Sequence, residues 1–598
     1  MRNSLRRLTG ITLAAFILSG CAGQSIVDRF SGPSPQELLT QAQQQQGSEA
    51  AQTRLHAADI LARQGDNAQA LQILDTLDEK SLPAESKGQW ALLTTRLALA
   101  QEDGQRAFNA TQVLDQNVAL SSDERNELRK RRGLAQAMLG HGLDAAITLI
   151  QLQGDSGDLG LNDDIWRQLT RLSPQQLDEV ARRGGSLASG WVDLANLRRE
   201  RDSDIAGLFN AVRGWQASHR NHPASQRLPQ ELSALQDLQG QEVHQIAVFL
   251  PESGPLQSVA DAIREGIRAR SNDAANQGES APQIMFYDTT GGDIDALYAQ
   301  AMMEGAQVAI GPLDKDKVSQ LEMRSNVPIP TLALNYGTHA DNSANNLFQY
   351  GLSAEDEARQ AAHRAYLDGH RSAGIMVPDN DWGSRVLDAF RTQWQYEGGS
   401  VGNVVIYDPK AAVASSVKSL LGSSAGSRNA TRNIDMLFLL ALPNYARQVP
   451  PTLDYYYASN LPIYGTSHLY DGQPQPRLDH DLNGVLFCDI PWQIPDAAVG
   501  GTDALPFSVT YQHFANNDQA SLLKLHAMGV DAYELARRLP ILNAVPGSEL
   551  YGATGMLKNE SNRRIRRTLP WAEFRDGIPQ PPSITATSNI SAGSAGQQ

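Results

Sequence analysis

Cysteine is almost absent from this chain: only two occur in 598 residues, Cys21 and Cys488. Metal sites built from cysteine clusters are therefore excluded. Strong positive charge is also lacking, since the net charge is −15 with 20% charged residues, which argues against a general nucleic-acid-binding protein. No stretch after residue 21 has the length and apolar character of a transmembrane helix. The length predicts two to four domains.

The first 21 residues have the parts of a bacterial export signal. Three arginines lie within residues 2–7, and residues 8–18 are mostly apolar but too short to span a bilayer. Residues 18–21 read Leu-Ser-Gly-Cys, which resembles the lipobox of bacterial lipoproteins. The resemblance implies that residues 1–20 are a signal peptide and that Cys21 is acylated. The alternative is an ordinary signal peptide cut near Ala22, with Cys21 discarded.

Acylation at Cys21 would set the location of the protein. Two or more acyl chains hold a protein stably on a membrane, because each buried methylene contributes about 0.8 kcal/mol. Ala22 follows the cysteine where an aspartate would often signal retention in the inner membrane, so we expect attachment to the outer membrane, on its periplasmic face. Cys488 would then have no disulfide partner, and we expect it to be a small buried residue in a strand.

Helical periodicity dominates residues 35–222, after a polar tether at 21–34. Residues 57–77 fit two helices with a turn near Gly65, and residues 134–149 repeat the pattern around Gly140. Residues 97–114 give a weaker copy. This region resembles degenerate tetratricopeptide repeats (TPR), which stack paired helices into an all-α solenoid. A generic helical bundle is the alternative.

Strands and helices alternate after residue 241. Residues 223–240 are predicted to be a connector, and residues 241–582 a two-lobed α/β domain with parallel sheets. The first strand is expected at 243–250 and the second lobe from about Ala354. Residues 583–598 are rich in Ser, Ala and Gly, and we expect them to be disordered.

Several motifs of the α/β region resemble the type I periplasmic-binding-protein fold. After the first strand come Pro251 and Ser253-Gly254, and Gly266 falls in the helix that follows. Gly311-Pro312 comes after the third strand, and Asp379 with Trp382-Gly383 lies in the second lobe. The resemblance implies an interlobe cleft, and its candidate lining residues are Ser253, Gly254, Gly311, Pro312, Asp379, Trp382 and Gly383. Residues 313–317, Leu-Asp-Lys-Asp-Lys, depart from the small hydroxyl residues with which amino-acid receptors of this fold often hold a ligand carboxylate.

Two later segments point to a narrower family. Residues 461–470 and 481–492 are similar to the C-terminal domain of the LpoA-type activators, outer-membrane lipoproteins that stimulate a class A penicillin-binding protein of the 1A type. The resemblance implies a regulator of peptidoglycan synthesis that works close to the cell wall. It implies no catalytic residue, cofactor, metal or nucleic acid. A solute receptor that binds a small molecule or wall fragment in the cleft is the alternative, and a wall-degrading enzyme is a third.

Three motifs that could indicate other chemistry lack its context. Residues 422–426 match G-x-S-x-G without the strand that should precede the serine. Ser415 and Lys418 match S-x-x-K without the accompanying motifs of penicillin-binding proteins. Four aspartates within 155–164 do not have EF-hand spacing, and a solvated loop is predicted there.

Overall fold

The computed structural model describes residues 33–582, apart from 202–204, 280, 340–341, 423–424, 427–430, 432, 516–521 and 546. The chain divides into two compact units, one ending at Trp90 and one beginning at Ala91. Cys21, the signal peptide, most of the tether and the predicted tail lie outside the described residues.

The first unit is helical. Its helices are α1 (Pro35–Gln44), α2 (Gly47–Gln64) and α3 (Asn67–Asp75), and α4 (Ala84–Ala100) runs across the boundary between the units. Gly65 ends α2 in the left-handed conformation, with φ of 88°, which glycine adopts without steric cost. Asp66 then caps α3 by accepting a hydrogen bond from the Gln69 N–H at 3.2 Å. The helix–turn–helix predicted around Gly65 is confirmed.

Helices also form the first part of the second unit. They are α5 (Gly104–Ala110), α6 (Ser122–Met138), α7 (Gly142–Ser156), α8 (Asn162–Leu169), α9 (Pro174–Arg183), α10 (Ala188–Glu200), α11 (Ile205–Ser218), α12 (Pro223–Gln226) and α13 (Gln230–Ser233). α6 and α7 pack closely because a Cβ at Gly133 would lie 2.8 Å from Leu149. Gly140 makes the turn between them with φ of 78°, as predicted.

The helical part of the second unit shares a hydrophobic core with the α/β part. Trp166, Trp191 and Leu232 belong to the same buried cluster as Ile541 and Val545. The predicted connector contributes Leu232, Leu235 and Leu238 to this cluster. Residues 223–240 are thus packed into a core rather than lying free between domains.

The first lobe is a five-stranded parallel sheet. Its elements are β1 (Gln245–Leu250), α14 (Gln257–Asn276), β2 (Gln283–Asp288), α15 (Ile294–Met303), β3 (Val308–Ile310), α16 (Lys315–Glu322), β4 (Asn326–Ala333) and β5 (Asn345–Gln349). The strand order is β2-β1-β3-β4-β5. β1 lies between β2 and β3 and is buried from Ile246 to Leu250, which explains its continuous apolar sequence.

The second lobe follows directly. Its elements are α17 (Ala354–Leu367), β6 (Ser372–Pro378), α18 (Asp381–Tyr396), β7 (Ser400–Tyr407), α19 (Val413–Leu421), β8 (Met436–Leu439), α20 (Pro443–Ala446), α21 (Val449–Tyr455), β9 (Ile463–Gly465), α22 (Pro476–Asp479) and β10 (Leu486–Cys488). Its sheet has the order β15-β14-β10-β9-β8-β6-β7. β14 (Trp571–Arg575) pairs antiparallel with β10, and β15 (Ile578–Gln580) pairs antiparallel with β14. Cys488 ends β10 and is buried without a disulfide, as expected.

Three crossings join the lobes: one follows β5, one follows β10 and one precedes β14. The second leads through α23 (Ser508–Ala515) into α24 (Leu523–Arg537) and α25 (Leu539–Ala544). A small antiparallel sheet of β11 (Glu549–Gly552), β12 (Gly555–Asn559) and β13 (Ile565–Thr568) precedes the third. α24 packs on α14 so closely that a Cβ at Gly266 would lie 2.1 Å from the His526 carbonyl oxygen.

This architecture confirms the predicted fold class, a helical N-terminal region followed by a two-lobed α/β region with parallel sheets. Element ends differ from the predicted ones by a few residues. β1 begins at Gln245 rather than at the predicted Val243. α18 begins at Asp381, which places Trp382 and Gly383 in its first turn. The Asn380 side chain caps this helix by accepting from the Gly383 N–H at 2.8 Å.

Candidate functional site

Where the chain crosses between the lobes, ionisable side chains from both lobes meet. We call this set the interlobe ion cluster, and its members are Glu357, His468, Asp489, Lys524 and Arg567. Glu357 lies in α17 of the second lobe, and His468 follows β9 of the same lobe. Lys524 lies in the first turn of α24 and Arg567 lies in β13, and both elements pack with the first lobe.

Two ion pairs in this cluster connect the lobes. Lys524 Nζ lies 3.1 Å from Asp489 Oδ1 and also donates to the Ser467 carbonyl oxygen at 3.1 Å. A guanidinium nitrogen of Arg567 lies 3.6 Å from Glu357 Oε1. The other oxygen of Glu357 accepts the Ser467 N–H at 3.0 Å and lies 3.7 Å from His468 Nδ1. Both lobes are therefore tied through one buried network.

Burial gives these charges unusual proton affinities. Burial raises the pKa of Asp489 to about 7, although the Lys524 ammonium opposes the rise. Burial alone would also raise the pKa of Glu357, but the positive charges around it outweigh that effect and lower the pKa. Burial raises the pKa of the neighbouring Cys488 thiol well above its usual range, so this cysteine is not a nucleophile.

A third buried carboxylate, outside the cluster, lies near the end of the first lobe. Asp531 of α24 accepts the N–H groups of Ala553 and Thr554, each at 2.7 Å, and the Thr554 hydroxyl at 2.7 Å. The hydroxyl of Tyr350, at the end of the first lobe, lies 2.7 Å from the Thr554 hydroxyl. Burial raises the pKa of Asp531 to about 6. Charged and polar groups of the protein thus contact one another at these crossings.

The cleft residues predicted in the first lobe lie at the carboxyl ends of its strands. Ser253 and Gly254 follow β1 and are exposed, and the Ser253 N–H donates to Thr290 at 3.2 Å. Gly311 and Pro312 follow β3 and are buried. A Cβ at Gly311 would lie 2.2 Å from the Phe249 carbonyl oxygen, so this glycine is required by strand packing.

One of the three candidates of the second lobe, Trp382, contacts the ion cluster. Asp379 is exposed at the end of β6, whereas Gly383 is buried because a Cβ there would lie 1.9 Å from the Pro378 carbonyl oxygen. The half-buried ring of Trp382 lies 4.9 Å from the His468 ring. The structure thus brings Trp382 to the cluster, and the contacts of the other candidates described here lie within their own lobes.

Residues 313–317 have structural partners where amino-acid receptors of this fold often hold a ligand. Leu313 belongs to the core of the first lobe. Asp314 caps α16 by accepting the N–H groups of Asp316 and Lys317 at 2.9 and 3.0 Å. Lys317 Nζ donates to the Gly292 carbonyl oxygen at 3.0 Å. This segment therefore positions a helix, and no side chain in it replaces the receptor's hydroxyl groups.

Sequence reasoning missed the ion cluster. His468 and Asp489 lie within the two family-like segments, 461–470 and 481–492, but nothing in the local pattern singled them out. Glu357 and Arg567 stand among other charged residues, and a charged residue in such a run is usually exposed. Only the packing of both lobes buries these particular members.

The motifs that were set aside have structural explanations where they are described. Ser415 and Lys418 lie on the exposed face of α19. Ser423 and Ser424, within the G-x-S-x-G match, lie outside the described residues. Within the described ranges, no group of three or more histidine, cysteine or carboxylate side chains is placed to hold a metal ion. Among the same residues, no helix has the length and apolar character that crossing a membrane requires.

The family model described as LppC putative lipoprotein matches residues 31–577, a range that includes the helices, the first lobe and the second lobe up to β15. This chain belongs to the LppC family. The penicillin-binding protein activator LpoA of Pectobacterium parmentieri is 27% identical, with 96% of this chain and 98% of the relative aligned. The protein of the same name from Haemophilus influenzae is 27% identical, with 96% and 97% aligned.

A solved structure is also similar to this chain. Full-length LpoA from Haemophilus influenzae has a TM-score of 0.49 and 26% identity, and the match covers 92% of this chain and 98% of that one. The expected resemblance to the LpoA-type activators is confirmed by the named relatives and the LppC family match.

Proposed function

We propose that this LppC-family chain is an outer-membrane lipoprotein, anchored through an acylated Cys21, that binds a class A penicillin-binding protein of the 1A type and stimulates its transpeptidase. The observation that carries the proposal is the alignment of nearly the whole chain with proteins named penicillin-binding protein activator. The protein has no catalytic role of its own in this proposal, and residues 241–582 make the contact.

Two features of the α/β region support contact with a protein over capture of a solute. The segment after Gly311-Pro312 caps and positions α16, so it offers no hydroxyl clamp for a ligand carboxylate. The interlobe ion cluster ties the lobes through internal partners, so a ligand is not needed to bring them together. A receptor relies on such a ligand to stabilise its closed form.

The shared core supports action of the chain as one body from Ala91 onward. Because Ile541 and Val545 pack with the helical region, removing residues 241–582 would expose apolar surface and disturb what remains. Point changes are therefore better probes of the contact than deletions. A membrane anchor would raise the concentration of this body near the wall, where the synthase works.

Site-specific photo-crosslinking tests the contact. A photoreactive amino acid replaces one exposed residue at a time: Met303 in the first lobe, Tyr455 in the second, and Met138 in the helical region, which are 83%, 76% and 46% exposed. Each full-length variant is mixed with the purified synthase of the same cell. We expect crosslinks from Met303 or Tyr455. Crosslinks from Met138 alone would contradict the placement, and no crosslink or co-purification at all would contradict the function.

Two further measurements separate the alternatives. If the cleft binds a solute, a library of wall fragments and amino acids should raise the melting temperature, since a ligand specific to the folded state stabilises it. For the anchor, Cys21→Ser should abolish incorporation of labelled palmitate and release the protein from the membrane fraction. Retained label in that variant would place acylation elsewhere.

A further inference from the structure

The sheet of the first lobe has an open edge at β2. This strand (Gln283–Asp288) is last in the strand order and, among the described strands, pairs with β1 alone. Five of its six residues are exposed or half-buried, whereas five of the six in β1 are buried, so solvent reaches β2 along its length. At the opposite end of the sheet, β5 is flanked by a main-chain bridge between Gln349 and Arg564. Within the part of the chain that the structure describes, β2 is therefore the edge of this sheet to which another strand can be added.

The main-chain groups of β2 alternate between its two sides. The N–H groups of Gln283 and Thr289 donate at 2.8 and 3.1 Å to carbonyl oxygens of the chain that forms β1, so the odd-numbered residues bond toward β1. Ile284 and Phe286 therefore present their N–H and C=O groups to the outer side. Among the described residues, none hydrogen-bonds to these four groups. A partner in extended conformation can pair with all four, which is how strand addition gains affinity.

A cation lies on one face of this edge. The side chains of Ile284 and Phe286 point to the face covered by α14, where they pack against the core of the first lobe. The Arg268 guanidinium of α14 lies 4.7 Å from the centre of the Phe286 ring, and this arginine is exposed. Neighbouring Arg264 is paired with Asp261, but no described carboxylate pairs with Arg268. A carboxylate on an added strand would therefore meet an unpaired cation at this face.

The other face of the edge favours apolar side chains. Met285 and Tyr287 point to this face, which α15 covers. The Tyr287 hydroxyl donates to the Glu304 carboxylate at 2.8 Å, so the end of α15 lies beside β2. Glu304 is exposed and would repel a second carboxylate, whereas Met303 next to it is an apolar side chain that is 83% exposed. The two faces of an added strand thus have different requirements.

We propose that β2 binds an extended segment of a protein partner in which acidic and apolar side chains alternate. Successive side chains of a strand point to opposite faces, so every second residue of the segment lies on the α14 face. The acidic residues lie there and pair with Arg268, and the apolar residues lie on the α15 face near Met303. The main chain of the segment bonds to Ile284 and Phe286. The proposal does not rest on contact with a synthase, since any partner with such a segment fits this edge.

A second copy of this chain fits the edge poorly. Two β2 strands paired antiparallel about a two-fold axis would keep both α14 helices on one face of the joined sheet. The Arg268 guanidinium groups of the two copies would then share that face, and like charges across a strand pair are destabilising. An acidic segment brings the opposite charge to the same position.

Fluorescence anisotropy with the full-length protein in detergent tests the proposal. The probe is a short labelled peptide of repeated Glu-Val units, which places all of its carboxylates on one face of a strand. The reference peptide has the same composition in Glu-Glu-Val-Val order, so its net charge is equal but its side chains do not alternate. We expect saturable binding of the first peptide alone. Hydrogen exchange of residues 283–288, measured by mass spectrometry, should become slower when this peptide binds.

The main-chain contact is tested by changing the peptide and leaving the protein intact. Residues opposite each other in a strand pair point to the same face, so the glutamate N–H groups bond to β2 in an antiparallel arrangement and the valine N–H groups in a parallel one. One peptide is N-methylated at every glutamate and another at every valine. We expect one of these two peptides to lose binding, and undiminished binding of both would contradict strand addition.

Two protein variants locate the site. Arg268→Gln, checked for an unchanged melting profile, should weaken binding of the Glu-Val peptide about two- to fivefold, as expected for an exposed charge pair. The matched control is Arg213→Gln in the helical region, which removes an exposed arginine that also lies over a phenylalanine ring, Phe209 at 5.7 Å, and should bind like the parent. No binding, equal binding of the reference peptide, equal affinity of the two variants, or unchanged hydrogen exchange in β2 would each overturn the proposal.

Discussion

Glu357→Gln should strongly destabilise the α/β region. The carboxylate is 4% exposed and faces the Arg567 guanidinium, which is 2% exposed. Glutamine keeps the size of the side chain and one oxygen that can accept the Ser467 N–H. The substitution therefore removes the negative charge and little else, and it leaves a buried guanidinium without its counter-charge.

The expected magnitude follows from this burial. Breaking a buried ion pair by removing one partner costs about 3–5 kcal/mol, because the remaining charge stays desolvated. For a region of this size, we expect the melting temperature to fall by about 2 °C per kcal/mol, so by roughly 6–10 °C. Removing both charges with Glu357→Gln/Arg567→Met should recover part of the loss, since no uncompensated charge is then buried.

Thermal unfolding followed by near-ultraviolet circular dichroism measures this effect. The matched control is Glu355→Gln on the same helix, where the ion pair with Arg385 at 2.7 Å is 28% and 56% exposed. Such a pair contributes about 0–1 kcal/mol, so the control should melt within about 2 °C of the parent. If Glu357→Gln melts like the control, the cluster does not tie the lobes and the reasoning is wrong.

Three other predictions concern burial. The pKa of Asp489 is about 7 in the folded protein against 3.8 as its ordinary value, so between these pH values the folded state holds a proton that the unfolded state has lost. The free energy of unfolding should therefore fall as pH rises from 5 to 8, and Asp489→Asn should remove this part of the pH dependence. The same slope of melting temperature against pH in the variant and the parent would contradict the prediction. Gly266→Ala should lower the melting temperature, because the new Cβ would meet the His526 carbonyl oxygen. The control Gly154→Ala, on the open face of α7, should leave the melting temperature unchanged or raise it slightly. Equal effects of the two substitutions would show that α14 and α24 do not pack as described. Cys488 should resist iodoacetamide at pH 8 until the protein is unfolded, as read by mass spectrometry, and rapid labelling of folded protein would refute its burial.

Local sequence signals predicted the elements that depend on local physics. β1 is buried on both faces, so its apolar run could be recognised without knowledge of its neighbours. Gly65 and Gly140 occupy left-handed positions, and both turns were predicted from these glycines. Residues 461–470 and 481–492 resembled a known family, and the family match includes them.

Long-range packing decides what the sequence could not show. β9 and β10 have only three residues each and form because neighbouring strands pair with them, so they carry little periodicity of their own. Glu355, Asp356 and Glu357 are three consecutive acidic residues, yet only Glu357 is buried. That choice depends on Arg567, more than two hundred residues away, and it determines the centre of the interlobe ion cluster.

Reconstituted peptidoglycan synthesis tests the central claim most directly. The purified class A synthase of the same cell is supplied with lipid-linked precursor, with and without the full-length protein in detergent, and the cross-linked fraction of the product is measured. We predict a clear rise in cross-linking at unchanged synthase concentration, reduced in parallel with loss of photo-crosslinking when the contact is mutated. No rise with folded protein and active synthase would contradict the activator function.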